Sequence, residues 1–174
     1  METFEAIFDR RSIRKYDTRP VEVEKIVEML KAAMYAPSAN NTQPWQFMVI
    51  TNREMLDELR RVHPYAAMLA TAPLAILVCG DKSREPNEGY LNTNCSAATQ
   101  NLLLAAQALG LGSVWLGVFP REERIKGISG VCKLPEHIIP ISLIALGYPA
   151  ETKVRPARFL PEKIHWEKWG EKGS

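Results

Sequence analysis

The sequence has little of what a disulfide-stabilised, metal-binding or polyanion-binding protein needs. Its 174 residues contain three cysteines without a C-x-x-C pair and three histidines without H-x-x-x-H spacing, so a disulfide framework and a metal site have little support. The net charge of +2 is too small to make nucleic acid the main partner. No apolar run approaches the ~18 residues of a membrane span, and the N-terminus lacks a signal pattern. We therefore expect a cytoplasmic protein with no metal, membrane or nucleic acid as partner.

Motifs for catalysis by a protein side chain are also missing. The sequence has no G-x-S-x-G elbow and no P-loop, and Cys95 has no base partner visible in the sequence. The glycines at 110 and 112 follow a predicted helix and precede a predicted strand, which is the reverse of the dinucleotide-binding fingerprint. We therefore predict no catalytic side chain, and we expect any chemistry to be carried by a bound cofactor.

What is present indicates one globular domain over residues 1–174, since 46% of the residues are hydrophobic and 24% charged. The continuously apolar residues 74–79 predict a strand covered on both faces. Residues 21–35 predict an amphipathic helix with apolar side chains at positions 23, 26, 27, 30 and 34. A helix over residues 92–109 has almost no polar face and must be buried nearly all round, at the centre of a dimer or of a monomer.

Cations cluster near both ends of the chain. Residues 10–14 contain three arginines and a serine, which can present forked donors and a hydroxyl to a phosphate. A solvated basic helix end explains the same residues, and a nucleic-acid-binding arm over residues 10–19 is a further hypothesis. The tail, residues 150–174, adds Lys153, Arg155 and Arg158, and its tryptophans imply that it docks on another surface.

Residues 36–45 use ten positions where a plain connector needs about five. Between two prolines they offer side-chain donors and acceptors suited to the edge of a planar heterocycle, at Ser38, Asn40, Asn41, Thr42 and Gln43. A long polar connector with Asx-turns explains the stretch equally well.

Taken together, residues 10–14 (RRSIR), 36–45 (APSANNTQPW), 97–106 with 110–117, and 146–149 (LGYP) resemble the nitroreductase-like FMN-dependent oxidoreductases. The resemblance covers nearly the whole chain in the right order. It implies an α+β fold, with a central, mainly antiparallel sheet flanked by helices. It also implies a domain-exchanged homodimer with FMN in the interface, on which the tail would dock.

The resemblance also implies a set of cofactor-binding residues. The phosphate would be held by Arg10, Arg11, Ser12, Arg155 and Arg158, and Arg14 would reach the ribityl chain or the pyrimidine edge. The partner subunit would line the ring with Pro37, Ser38, Ala39, Asn41 and Gln43, of which Gln43 would support the loop or touch the ring. The ring would also lie along Trp115, Leu116 and Gly117, with the Gly117 N–H near flavin N5.

The activity implied is ping-pong hydride transfer from NADH or NADPH through FMN to a small acceptor such as a nitroaromatic, a quinone or a flavin. The alternative is an FMN-binding or storage protein without productive turnover. Two departures from the family pattern stand out. The tail spacing leaves open whether Lys153, Arg155 or Arg158 reaches the phosphate, and the chain lacks an insertion that covers the substrate in some relatives.

Overall fold

Helices and strands alternate along residues 2–171, the part of the chain that the computed structural model describes. The strands are β1 (Trp45–Ile50), β2 (Leu74–Asp81), β3 (Gly112–Gly117) and β4 (Ile138–Gly147). The α-helices are α1 (Thr3–Asp9), α2 (Val23–Met34), α3 (Arg53–Val62), α4 (Glu88–Ala108) and α5 (Glu122–Cys132). Short 3₁₀ turns occur at Ala39–Asn41, Ala67–Ala70 and Pro161–Lys163. The last three residues of the predicted docking tail lie outside the described residues.

The four strands form one antiparallel sheet in the order β1-β2-β4-β3. Every residue of β2 is buried, as predicted from its unbroken apolar sequence, because helices cover both faces of the central strands. The predicted α+β fold with an antiparallel sheet is confirmed. No helix within residues 2–171 is both long and apolar enough to cross a bilayer.

Alternate residues of the central strands point into two cores. On one face, Leu77 and Leu143 pack with Leu59 of α3 and Ile128 of α5. On the other face, residues that include Ile76 and Ile144 pack with α2 and α4. The period of two along each strand therefore separates the core into two layers, one on each side of the sheet.

The buried side of α2 differs from the predicted one. Ile26 is buried as expected, but Val23 is 68% exposed and Met34 is 52% exposed, whereas Met29 and Ala33 are fully buried. The predicted stripe at positions 23, 26, 27, 30 and 34 left out Met29 and Ala33. The packing of α2 against α4 instead selects a stripe with a small residue at Ala33, which lets the two helices approach closely.

The long helix α4 begins four residues before its predicted start, because the Asn87 side chain accepts a hydrogen bond from the Tyr90 N–H and caps it. Its burial within one chain is one-sided. Leu102 and Leu103 are buried, whereas Gln100 is exposed and the side chains facing that way are only partly covered. One side of α4 therefore remains partly exposed in the single chain.

Candidate functional site

The basic segment that follows α1 is fixed along the outer edge of β3. The Ile13 N–H donates to the Ser113 carbonyl at 3.0 Å, and Ser12 forms an isolated parallel bridge with Ser113. The Tyr16 hydroxyl, itself buried, donates to the carbonyls of Ile13 and Ala145. Residues 10–14 are therefore held in a fixed register beside the sheet.

One end of this segment opens into a cavity of about 730 Å³ that is rich in cations. Its walls bring together four of the predicted phosphate ligands, although they lie far apart in the sequence: Arg10, Arg11, Arg155 and Arg158. The remaining lining residues are Ile7, Phe8, Pro156, Ala157 and Phe159. Burial, assisted by the neighbouring charges of Arg158 and Arg11, lowers the pKa of Arg10.

Arg11 is a partly buried residue of this wall. Its Nε and Nη1 atoms are buried and have no hydrogen-bond partner among the described residues. Buried polar atoms are nearly always paired, because an unpaired donor loses its bonds to water without compensation. Arg11 also lines a neighbouring cavity of about 260 Å³, together with Asp9, Glu151 and Lys153.

The tail cations have different partners. Arg155 lies 3.6 Å from an Asp9 carboxylate oxygen and stacks over the Phe8 ring at 4.5 Å, and it lines the cavity. Lys153 instead donates to the Ser12 carbonyl at 2.5 Å and pairs with Glu151. Among the described residues, Ser12 and Lys153 are not part of the wall of the cation-rich cavity.

A second cavity, of about 480 Å³, lies at the other end of the segment. Four predicted site residues line it: Arg14, Trp115, Leu116 and Gly117. The other lining residues come from the end of α3 and the turn that follows it: His63, Pro64, Tyr65, Ala67 and Met68. Arg14 is anchored here by its backbone, whose N–H donates to a Glu151 oxygen at 2.6 Å, and this bond is the main cause of the lowered pKa of Glu151.

The register of β3 turns the polar groups of Gly117 towards the outer edge of the sheet. The Val118 N–H donates to the Ile141 carbonyl at 3.1 Å, and Gly117 pairs with Ser142. Since hydrogen-bonded and non-hydrogen-bonded pairs alternate in antiparallel strands, Gly117 lies in a non-hydrogen-bonded pair. Its N–H and C=O therefore point away from β4, as do those of Trp115.

The Gly117 carbonyl receives two hydrogen bonds that sequence reasoning did not predict. His63, which is 1% exposed, places its Nε2 3.0 Å from this oxygen, and Arg124 donates to it at 2.7 Å. Burial lowers the pKa of His63, against the opposing effect of the carbonyl, and the charge of Arg124 lowers it further. A contact to a backbone carbonyl leaves no pattern in the sequence, so only the fold reveals it.

The loop over residues 36–45 is ordered by its own polar side chains. Asn40, Asn41 and Gln43 adopt positive φ angles. The Gln43 side chain donates to Asn41 at 2.7 Å, its backbone N–H donates to the Ser38 hydroxyl, and the Ala39 N–H donates to the Asn94 side chain. The loop therefore has a defined shape.

A single chain does not bring this loop to the two cavities. The loop leads into β1, at the opposite edge of the sheet from β3, and three strand spacings separate these edges by roughly 14 Å. The predicted loop residues Pro37, Ser38, Ala39, Asn41 and Gln43 are absent from the walls of both cavities, as far as residues 2–171 define them.

The cysteines are unsuited to nucleophilic chemistry. All three are free and buried. Burial raises the pKa of the Cys95 thiol to about 12 and that of Cys132 to about 11, and it also raises the pKa of Cys79. The reactive thiolate form is thus disfavoured at neutral pH.

Comparison with known proteins gives one consistent family. The Nitroreductase family model matches residues 7–67 and 57–148. A Methanothermobacter thermautotrophicus protein with the provisional name NADH dehydrogenase/NAD(P)H nitroreductase is 53% identical over 169 residues, which cover 97% of this chain and 88% of that protein.

Two solved structures show the same fold. An FMN-dependent nitroreductase from Clostridium difficile has a TM-score of 0.88 at 32% identity, covering 95% of this chain and 99% of its own. A provisionally named nitroreductase from Desulfovibrio desulfuricans, in complex with FMN, has a TM-score of 0.84 at 34% identity, covering 97% and 98%.

Proposed function

The chain belongs to the nitroreductase family, and from that premise we propose that it is an NAD(P)H-dependent FMN oxidoreductase. NADH or NADPH would deliver hydride to the N5 position of FMN, and a small acceptor such as a nitroaromatic, a quinone or a flavin would then take it in a ping-pong cycle. The names of the relatives support this reading, since they include NAD(P)H nitroreductase and FMN-dependent nitroreductase. The three free thiols favour a reducing compartment, and we place the protein in the cytoplasm.

The observation that carries the proposal is that two different cavities lie at the two ends of residues 10–14, the segment that is hydrogen-bonded to β3 and is called the pinned segment below. The cation-rich cavity is lined by four arginines, and the second cavity has an aromatic and backbone wall at Trp115 and Gly117. Three residues of extended chain separate Arg11 from Arg14, which is about 10 Å. This suits FMN, whose phosphate and ring system are joined by a flexible ribityl arm.

The residues present fit the charge of FMN. Arg10, Arg11, Arg155 and Arg158 would hold the phosphate through forked, charge-assisted hydrogen bonds. Ser12 follows Arg11 in the chain but lies outside the cavity wall, so its hydroxyl would reach the phosphate only from the border of the cavity. Arg14 would place a fixed positive charge beside the pyrimidine edge, where it favours the electron-rich reduced form. Of the tail cations, the lining of the cavity favours Arg155 and Arg158 over Lys153 as phosphate ligands.

FMN, when bound, supplies the hydride-accepting and hydride-donating centre. The chain contributes position and electrostatics to the reaction. Trp115 and Leu116 would give the ring an apolar wall, and the outward-facing N–H of Gly117 would be directed at its edge. Because the donor and the acceptor would occupy the same place in turn, the site would serve both half-reactions without a side-chain acid or base.

We further propose that two copies of the chain complete each site as a homodimer. The loop residues Pro37, Ser38, Ala39, Asn41 and Gln43 cannot reach the cavities of their own chain, so a second copy would supply them. Apolar side chains are left exposed on both terminal regions and on α2: Phe4, Phe8, Val23, Met34, Phe159, Trp166 and Trp169. Their burial between copies, with the tails exchanged, would also cover the open side of α4.

Steady-state kinetics test the proposed cycle. Initial rates are measured against NADH concentration at several fixed concentrations of a quinone, and then again with NADPH and with a nitroaromatic. A ping-pong cycle gives parallel double-reciprocal lines. Intersecting lines would show that donor and acceptor bind together and would contradict the shared position.

A further inference from the structure

We propose that His63 and Arg124 are positioning residues for hydride transfer, which hold the Gly117 peptide at the cofactor ring through two hydrogen bonds to its carbonyl oxygen. The inference rests on the proposed function, because it takes the ring to lie against Gly117. It assigns a role to two side chains that belong neither to the sequence motifs nor to the wall of the cation-rich cavity.

The two donors reach one oxygen from separate parts of the fold. His63 follows α3 and Arg124 lies in α5, and their nitrogens are 3.0 Å and 2.7 Å from the Gly117 oxygen. Arg124 also lies over the Tyr65 ring, 5.2 Å from its centroid. Two donors use both lone pairs of the carbonyl, which fixes its direction more firmly than a single bond would.

The hydrogen bonds of the imidazole define its tautomer. The Tyr65 N–H donates to His63 Nδ1 at 3.3 Å, so Nδ1 is the acceptor and Nε2 carries the proton. The neutral ring is therefore oriented to donate through Nε2 to Gly117. The turn at residues 63–65 holds the imidazole in this orientation.

Gly117 is a residue whose backbone conformation these two hydrogen bonds can restrict. A Cβ placed there would meet nothing within 4 Å, so no neighbouring side chain restricts the residue sterically. Its polar groups face away from β4, and glycine samples more backbone conformations than any other residue. The two bonds hold the strand extended at its last residue and keep the N–H directed outwards.

The same contacts make the positioning sensitive to acid. The charged and titratable groups around His63 are Arg124 from α5, Tyr65 in its own turn and Arg14 across the shared cavity. Protonation would place an Nδ1–H against the Tyr65 N–H and a second positive charge beside Arg124. Because burial already lowers the pKa of His63, the neutral ring, whose Nδ1 accepts from the Tyr65 N–H, prevails at neutral pH and is lost only on the acid side.

Anaerobic stopped-flow reduction of the FMN-loaded protein by NADH, from pH ~5 to ~8, tests the proposal. The variants are His63→Phe, His63→Gln and Arg124→Met, and Arg121→Met removes a nearby exposed charge as the matched control. We expect the limiting reduction rate to fall about tenfold or more in His63→Phe and Arg124→Met, because a misplaced group near reacting atoms has effects of this size. Arg121→Met should react like the wild type.

His63→Gln separates positioning from packing, because glutamine retains an N–H donor but does not titrate. We expect it to recover most of the rate and to lose the acid-side decline of the wild type. Equal losses in His63→Gln and His63→Phe, or an unchanged acid decline in His63→Gln, would overturn the positioning role. If His63→Phe does not fold, the pH profile of His63→Gln still decides. A wild-type protein that is reduced normally while Arg124→Met is equally fast would overturn this inference alone, whereas a wild type that binds no FMN would overturn the proposed function with it.

Discussion

Substitution of Gly117 by alanine separates the proposed cofactor site from the fold itself. A Cβ at this position meets no atom within 4 Å in the protein alone, and the backbone there does not require a positive φ. We therefore expect Gly117→Ala to leave stability unchanged or to raise it by about 0.4–1 kcal/mol, through the reduced entropy of the unfolded chain.

The affinity for FMN, unlike the stability, should fall in Gly117→Ala. If the ring lies against Gly117, the added methyl group occupies space that the ring needs. Overpacking of this kind costs about 1–3 kcal/mol, which corresponds to about a 5- to 150-fold rise in the Kd for FMN. Quenching of FMN fluorescence on titration with apoprotein measures the Kd, and urea unfolding measures stability on the same samples.

Two other glycines provide controls. A Cβ added to Gly130 in α5 would also meet no atom within 4 Å, so Gly130→Ala should stabilise the protein without changing the Kd. A Cβ at Gly112 would lie 2.8 Å from the Ile13 side chain, so Gly112→Ala should disturb the pinned segment and lower both stability and affinity. An unchanged Kd in Gly117→Ala would refute the placement of the ring.

Three further predictions follow from individual contacts. Arg11→Met should weaken FMN binding at least tenfold, which is about the effect of losing one charge-assisted hydrogen bond. The free energy of unfolding in urea should not change, because two of the Arg11 nitrogens have no protein partner among the described residues. A lower stability with an unchanged Kd for FMN would contradict the phosphate role. Tyr16→Phe should destabilise the fold by about 1–3 kcal/mol, since its buried hydroxyl donates to the Ile13 and Ala145 carbonyls; equal urea midpoints would show these bonds to be neutral. His63 has a folded-state pKa below its ordinary value of 6.5, so its contribution to stability is present above pH 6.5 and is lost as the pH falls through the lowered pKa. The urea midpoints of the wild type and of His63→Gln should therefore converge or cross over this pH range. Parallel pH profiles of the two midpoints would contradict this contribution of His63.

Much of the fold is visible in the sequence because burial on both faces leaves a simple pattern. The apolar run at residues 74–79 indicates β2, and the nearly unbroken apolar stretch at residues 92–109 indicates most of α4. The buried side of α2 could not be predicted in this way. It depends on which residues allow close approach to α4, and this is a property of the pair of helices.

The candidate site also has a part that the sequence predicts and a part that only the structure reveals. The cations at both ends of the chain are visible as clusters, but only the resemblance to a family joins Arg10 and Arg11 to Arg155 and Arg158. The structure places these four around one cavity. The pair His63 and Arg124 leaves no signal, because their shared partner is a main-chain oxygen. Contacts to the backbone depend on how separate elements meet in the fold, and a local side-chain pattern does not show this.

The most direct test of the proposed function is the visible absorption spectrum of the purified protein under anaerobic conditions, after loading with FMN and removal of the excess. The spectrum is recorded before and after adding excess NADH, and again with NADPH. We expect oxidised-flavin bands that bleach with at least one of the two donors and return when a quinone is added. Bands that persist with both donors would indicate a flavin-binding protein without turnover, and a protein that retains no FMN would contradict the proposed function as a whole.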